Sequence, residues 1–411
     1  MFLKIKGIGK IQDSTIEMKG ITVIAGENNT GKSTFGKVLY CIFNAFHDVD
    51  ERIYEARAND IRRIFQGGLP RFRRDFLGQN NIDDILSGDD IRKSISDVIK
   101  VYQSSNPKIN DNSIDSLLVN LERSISIEKH EIQQTIVTHF FKQEFSGEVN
   151  HINKRDTQGI ISLEIKDKKI EVTIGYDECI FLADEVGLLS DAIYIDTPFI
   201  MDDVKNFYGE GFTGFYNTIG HRDDLLERLI QRRSNSTVLE EVILKQKINN
   251  ILSNIRLIVG GEFREDDNEL LFAEQGLKKP VPLSSVSTGI KMFLIIKRLL
   301  EQGEIKEKDV LIFDEPEIHL HPDWQIKFAE ILILLQKEFK LTILLTTHSP
   351  YFFHAIEIFS KKYDTHNDCN FYLAKSNGDI SDVDDVTDKI NEVYTQMAMP
   401  FQKLEDELYE D

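Results

Sequence analysis

Cysteine is nearly absent from these 411 residues: Cys41, Cys179 and Cys369 are odd in number and far apart. That excludes a disulfide framework and a C-x-x-C metal clip, and it fits a reducing compartment. No apolar run approaches the length of a bilayer, and the N-terminal MFLKIKGIGK carries no secretory core, so a cytoplasmic protein without a membrane partner is expected. Repeats and low-complexity tracts are also missing. Positive charge is in short supply, with 49 Lys and Arg against 69 Asp and Glu and a net charge of −20. Such a balance opposes indiscriminate polyanion binding but leaves room for a local patch. Arg62, Arg63, Arg71, Arg73 and Arg74 cluster in one segment, so nucleic acid stays open as a partner. Residues 379–411 carry eleven acidic side chains against Lys389 and Lys403.

What the chain does have is a composition of 41% hydrophobic and 29% charged residues, enough for a sizeable core and about two or three globular domains. Its most informative segment is GENNTGKST, made of Gly26, Glu27, Asn28, Asn29, Thr30, Gly31, Lys32, Ser33 and Thr34. The apolar run Ile21, Val23, Ile24 and Ala25 precedes it, and a helical pattern through Phe35, Val38 and Leu39 follows. A buried strand, a glycine-permitted loop and a helix N-terminus together aim backbone N–H groups at one anion. In such a loop the lysine reaches β- and γ-phosphates and the serine hydroxyl ligates Mg2+. ATP and Mg2+ are therefore the expected cofactors.

Further along, Val310–Phe313 is an apolar strand run ending in Asp314 and Glu315, and 342–345 is another ending at Thr346, Thr347 and His348. A helix is expected over 324–339 between them. Apolar strands alternating with helices imply a parallel sheet buried on both faces, whose ligands sit at the carboxyl ends of strands. All three motifs fall at such ends. Asp314 can hold Mg2+ beside Ser33, Glu315 can orient or deprotonate water, and His348 can reach the γ-phosphate. His319 and His321 form an H-x-H, and Asp382 and Asp384 flank Val383; both are weak metal patterns.

The ordered set GENNTGKST, SSVSTGIK at 284–291, VLIFDEPEIHLHP at 310–322 and LLTTHSP at 344–350 resembles the ABC-type ATPase heads. It is most similar to the soluble RecF, SMC and OLD branch of AAA-family proteins. The resemblance implies an α/β P-loop NTPase with a mostly parallel sheet flanked by helices, helical insertions and an N-terminal antiparallel β subdomain. It makes Lys32, Glu315 and His348 catalytic and Ser33 and Asp314 the metal residues. Ser287, Thr288 and Gly289 become a signature loop that caps ATP bound by a second copy, although Thr288 and Ile290 depart from the usual glycine and glutamine. Asp196 and Thr197 are only positional candidates for the Q-loop. A homodimer or higher homo-oligomer through the ATP sites follows from the resemblance. Because few residues follow His348, a separately encoded effector, a nuclease or toxin, is expected, as in Septu-like and PARIS-like anti-phage modules. A DNA-repair or chromosome-maintenance ATPase is the alternative.

The expected divisions are an N-terminal lobe over 1–45, a helical insertion over 46–146, a β-rich part over 147–200 and a helical arm over 201–256. A C-terminal lobe over 257–360 and an acidic segment over 361–411 complete them.

Overall fold

Two hairpin-forming strands open the chain because residues 2–17 alternate between buried and exposed side chains. The computed structural model describes residues 1–68, 111–151, 153, 156–183, 187–207, 220–230, 238–266 and 269–407, with isolated positions between 82 and 100. In chain order, β1 (Phe2–Ile8), β2 (Ile11–Glu17) and the fully buried β3 (Ile21–Gly26) lead into α1 (Lys32–Phe46). Then come α2 (Val49–Gly68), α3 (Asp111–Ile125) and α4 (Lys129–Glu144). Strands β4 (Gly159–Ile165), β5 (Lys168–Gly175), β6 (Glu178–Ala183) and β7 (Ala192–Ile195) follow. After them lie α5 (Ile200–Phe207), α6 (His221–Ile230) and α7 (Val238–Arg256). The remainder is β8 (Gly261–Asp266), β9 (Glu269–Glu274), β10 (Val281–Pro282), α8 (Thr288–Gln302), β11 (Val310–Asp314), α9 (Pro322–Phe339), β12 (Thr342–Thr347), α10 (Pro350–Lys362), β13 (Cys369–Asn377), β14 (Ile380–Asp385) and α11 (Asn391–Glu407).

Eleven strands form one sheet in the order β6-β5-β4-β1-β2-β14-β13-β3-β12-β11-β7. From β13 to β7 every pairing is parallel, β1, β2, β4, β5 and β6 pair antiparallel among themselves, and β14 pairs antiparallel with β13 and parallel with β2. The parallel strands are apolar on both faces because helices cover both. This is an α/β P-loop fold with an N-terminal antiparallel region. The central strands β3, β12 and β11 end together, which places residues 26–34, 314–315 and 348 at one rim of the sheet. Among the described residues, no helix is long and apolar enough to cross a membrane.

Residues 1–47 and 137–411 form one compact unit and Asp48–Ile136 another. The second unit has its own core, which includes Ala58, Ile61, Phe65, Leu117, Leu121 and Ile125. It ends earlier than the expected insertion over 46–146: residues from Val137 onward belong with the head.

One further expectation needs correction. The segment 361–411 is not appended to the head, because β13 and β14 are inner strands of the sheet and β13 pairs directly with β3. The apolar run around Phe371–Leu373 drives this, and the nearby acidic residues hide it by composition. In α7, Ile248, Ile251, Leu252 and Ile255 join the main core, whereas Val242 is exposed.

Gly26 ends β3 with φ 154°, and a Cβ there would stand 2.5 Å from the Ala374 carbonyl oxygen of β13. Gly26→Ala is therefore expected to destabilise the fold by about 1–3 kcal/mol, measured as a lower midpoint in urea unfolding at unchanged slope. An unchanged midpoint would contradict the close packing of β3 on β13.

Candidate functional site

The phosphate-binding loop takes its shape from three left-handed or extended-positive positions, Gly26, Asn29 (φ 65°) and Gly31 (φ 77°). Gly31 also has no room for a side chain, since a Cβ would meet Ile11 Cδ1 at 2.9 Å. It caps α1 without any side-chain hydrogen bond, and the first turn of α1 carries no acidic residue. The Thr34 N–H donates to the Gly31 carbonyl at 3.1 Å, and no side chain competes for the N–H groups of Lys32 and Ser33 before it, which can receive an anion from outside. By contrast, α9 and α10 are capped by His321 and Ser349 through N–H groups of their own first turns. The other uncapped helix beside a motif is α8, whose N-cap is Ser287.

Buried Lys32 sends its ammonium to the Gly26 and Glu27 carbonyls at 3.0 and 2.8 Å and to Glu315 Oε1 at 3.1 Å. Ser33 Oγ donates to Asp314 Oδ1 at 3.1 Å. The Thr346 hydroxyl donates to the same oxygen, and the Tyr194 hydroxyl donates to Oδ2 at 3.1 Å. A hydroxyl and a carboxylate this close, at the foot of an uncapped phosphate loop, form an oxygen donor set of the hard type that Mg2+ prefers. The residues present fit Mg2+ held by Ser33 and Asp314, with the remaining ligands supplied by phosphate and water.

Glu315 occupies the left-handed region at φ 49°, a conformation costing about 1–3 kcal/mol in a non-glycine residue. Its N–H is fixed by the Thr346 carbonyl and hydroxyl at 3.2 and 3.0 Å. That turn aims its carboxylate between Lys32 and His348, whose Nδ1 is 3.3 Å from Glu315 Oε2. The His348 contact, and Lys32 after it, holds the Glu315 carboxyl below its ordinary range despite burial. Reciprocally, Glu315 raises the His348 imidazole above its ordinary value.

One contributor went unnoticed in the sequence. Glu317, almost fully buried, accepts the Thr347 hydroxyl and the N–H groups of His348 and Ser349 at 3.1 and 3.3 Å. Burial pushes its carboxyl up. It holds the backbone of the histidine turn in place, and the second glutamate of DEPE was the available signal.

A cavity of about 390 Å3 opens from residues 29–34. It continues past Lys10, Lys37, Phe145, Asn150, His151 and Asp379, and Glu315 also lines it. Its far wall is organised: His151 Nε2 lies 3.0 Å from the Asp379 carbonyl oxygen, and Asn153 donates to the Asp379 carboxylate at 2.9 Å. None of Ser287, Thr288 or Gly289 lines it. Ser287 is exposed, whereas Gly289 is buried where a Cβ would meet Trp324 at 2.9 Å and the His319 carbonyl at 3.0 Å. The glycine of the signature thus has a packing reason of its own.

Other sequence candidates resolve differently. The Asp196 carboxylate is taken by His221 at 3.2 Å and Arg222 at 2.7 Å rather than by the metal residues. His319 packs edge-on against Phe199, and His321 is a helix cap. Among the described residues, no group of three His, Cys, Asp or Glu is placed to hold a metal. Asp384 is paired with Lys375 at 3.0 Å on β13, while Val383 between the two aspartates faces the core. Arg62 is engaged by Asn59 and Glu55 and Arg63 by Asp60. Arg71, Arg73 and Arg74 lie outside the described residues.

Residues 192–353 match the family model described as "AAA domain, putative AbiEii toxin, Type IV TA system". No curated protein matches the chain. Among solved structures, the chain is similar to the SMC head domain from Thermotoga maritima at 13% identity and a TM-score of 0.38, covering 94% of this chain and 98% of that one. An Smc head domain with an extended coiled coil, bound to the C-terminal domain of ScpA and derived from Pyrococcus furiosus, aligns at 12% identity and a TM-score of 0.40, covering 96% and 98%. Similarity at that level carries no weight for function.

The Glu315–His348 pair gives a pH signature. Its stabilisation is complete where His348 is protonated and Glu315 ionised, below 6.5 and above 4.5, their ordinary values. It fades as pH rises through the raised value of His348, and as pH falls through the lowered value of Glu315. In nucleotide- and metal-free protein, an NMR titration is expected to place His348 above 6.5. Glu315→Gln should move it down, and an unmoved midpoint would dissolve the pair.

Proposed function

We propose that this chain is a Mg2+-dependent ATPase whose copies close around ATP and thereby control a separately encoded effector. The observation that carries the reading is the 3.1 Å contact between Ser33 of the phosphate loop and Asp314 at the end of β11, with Glu315 directly beside it. In this reading the N–H groups at the start of α1 receive the β- and γ-phosphates, and Lys32 exchanges its loop carbonyls for phosphate oxygens. Mg2+ held by Ser33 and Asp314 would offset the charge of the phosphate oxygens. Glu315, released from Lys32 as that ammonium turns to phosphate, accepts the proton of the attacking water, and His348 steadies its carboxylate.

The exposed Ser287 at the uncapped end of α8 supports a composite site. It lies away from the copy's own cavity and opens a helix that no side chain caps, as a cap on a second copy's γ-phosphate would. Nucleotide then favours the closed pair because only that state offers both sets of contacts. The family description over 192–353 carries a toxin–antitoxin setting, which supports a role in such a system, and the separate effector is our reading of it. An anti-phage role is the reading of that setting we favour. No observation among the described residues favours direct DNA binding, given the pairing of Arg62 and Arg63.

Lys32→Ala is expected to weaken ATP binding by on the order of 100-fold, the loss of a charge-assisted phosphate contact, in an equilibrium binding titration. Glu315→Gln should retain ATP binding while turnover falls by about 10²–10⁴-fold in a phosphate-release assay. Undiminished turnover in that variant would remove Glu315 from its role. Steep, salt-sensitive stimulation by DNA would transfer the chain to the chromosome-maintenance class.

A further inference from the structure

We infer that Tyr194, backed by His221, is a positioning residue for the magnesium carboxylate Asp314. Nothing in the phosphate-loop motifs points to either residue, and the inference rests on the ATPase reading above.

Tyr194 is the third residue of β7, whose register places it beside Ile312 of β11. It is 1% exposed, and its hydroxyl meets Asp314 Oδ2 at 3.1 Å. Ser33 and Thr346 share the other oxygen, Oδ1. If Ser33 turns to the metal, Asp314 keeps two hydrogen bonds, one on each oxygen, and only Tyr194 fixes the rotation of Oδ2. A carboxylate ligand with one oxygen tied in this way keeps the other aimed at the cation.

The ring of Tyr194 is itself held. His221 stacks on it at a centroid distance of 4.4 Å and an interplanar angle of 28°. Tyr40 packs against both rings, at 6.2 Å from Tyr194 and edge-on at 6.0 Å from His221. His221 is held through its Nδ1, which lies 2.6 Å from Glu144 Oε2, while its Nε2 stands at ion-pair distance, 3.2 Å, from Asp196 Oδ2. Its backbone N–H also donates to Glu144 Oε1 at 2.7 Å. The buried Glu144 carboxylate thus fixes the first residue of α6 and, through the imidazole, the tyrosine ring.

A second observation comes from α1. Gly36 sits in the helix interior, where glycine costs about 1 kcal/mol relative to alanine. A Cβ there would meet Ile312 Cγ2 at 3.0 Å and the Tyr194 Cζ and hydroxyl oxygen at 3.4 Å. Glycine at 36 leaves the space through which the tyrosine hydroxyl reaches Asp314.

A tyrosine that merely satisfies its polar tip in the core would affect stability alone. A positioning tyrosine affects the metal dependence of nucleotide binding. The test is an equilibrium titration of the full chain with a fluorescent, non-hydrolysable ATP analogue, in EDTA and across a Mg2+ series, on wild type and Tyr194→Phe. Wild type should bind the analogue in EDTA and bind it more tightly with Mg2+. Tyr194→Phe should match wild type in EDTA but need about 10-fold more Mg2+, or more, for half of the metal-dependent gain. An unchanged Mg2+ midpoint overturns the inference and leaves the ATPase reading intact. So does a loss that is equal with and without metal and accompanied by a lower Tm. Failure of wild type to bind the analogue under any condition overturns the ATPase reading instead. Should Tyr194→Phe not fold, His221→Gln takes its place with the same expected direction, and an unmoved midpoint there overturns the inference.

Discussion

One half-buried carboxylate ties the architecture together. Asp314 ends β11 and receives hydrogen bonds from the phosphate loop through Ser33, from β12 through Thr346 and from β7 through Tyr194. A carboxylate partly withdrawn from water is costly unless its oxygens are satisfied, so these three donors serve the fold as well as the site. They also lock the carboxyl ends of neighbouring strands to the start of α1. The geometry that would bind a metal and a triphosphate is therefore built by the same bonds that seal one rim of the sheet.

Around that point the chain leaves deliberate gaps in its own hydrogen bonding. Two of the helices that start beside motifs, α1 and α8, carry no side-chain cap, whereas α9 and α10 are capped from within. Lys32 rests on loop carbonyls and Glu315, contacts that phosphate can replace with stronger ones. Glu315 is held in a left-handed turn that the Thr346 backbone and side chain enforce. Backbone strain and open helix ends fall together at the strand rim where ligands of parallel sheets bind.

Much of this was legible in the sequence, for a local reason. Ser33, Asp314, Glu315 and His348 each stand at a fixed offset from an apolar run, and such runs become strands of a parallel sheet that end together. The roles of Tyr194 and Thr346 were not legible, because they arise from pairing across β7, β11 and β12, which spacing along the chain does not reveal, whereas Glu317 had a local signal in DEPE that went unread. The strand β13 was masked by its surroundings: the acidic residues after it gave 361–411 a surface character, although Phe371–Leu373 is core. Asp196 follows β7, and its partner His221 is 25 positions away and separated by α5, beyond the reach of any local pattern.

The account stands or falls on whether nucleotide joins two copies through Lys32 and Ser33 of one and Ser287 of the other. Sedimentation velocity of the Glu315→Gln protein, with and without Mg2+ and ATP, measures this directly. The account predicts a species of twice the mass only with ATP, and its loss when Ser287→Arg is added while ATP is still bound. A single monomeric boundary at saturating nucleotide would contradict it.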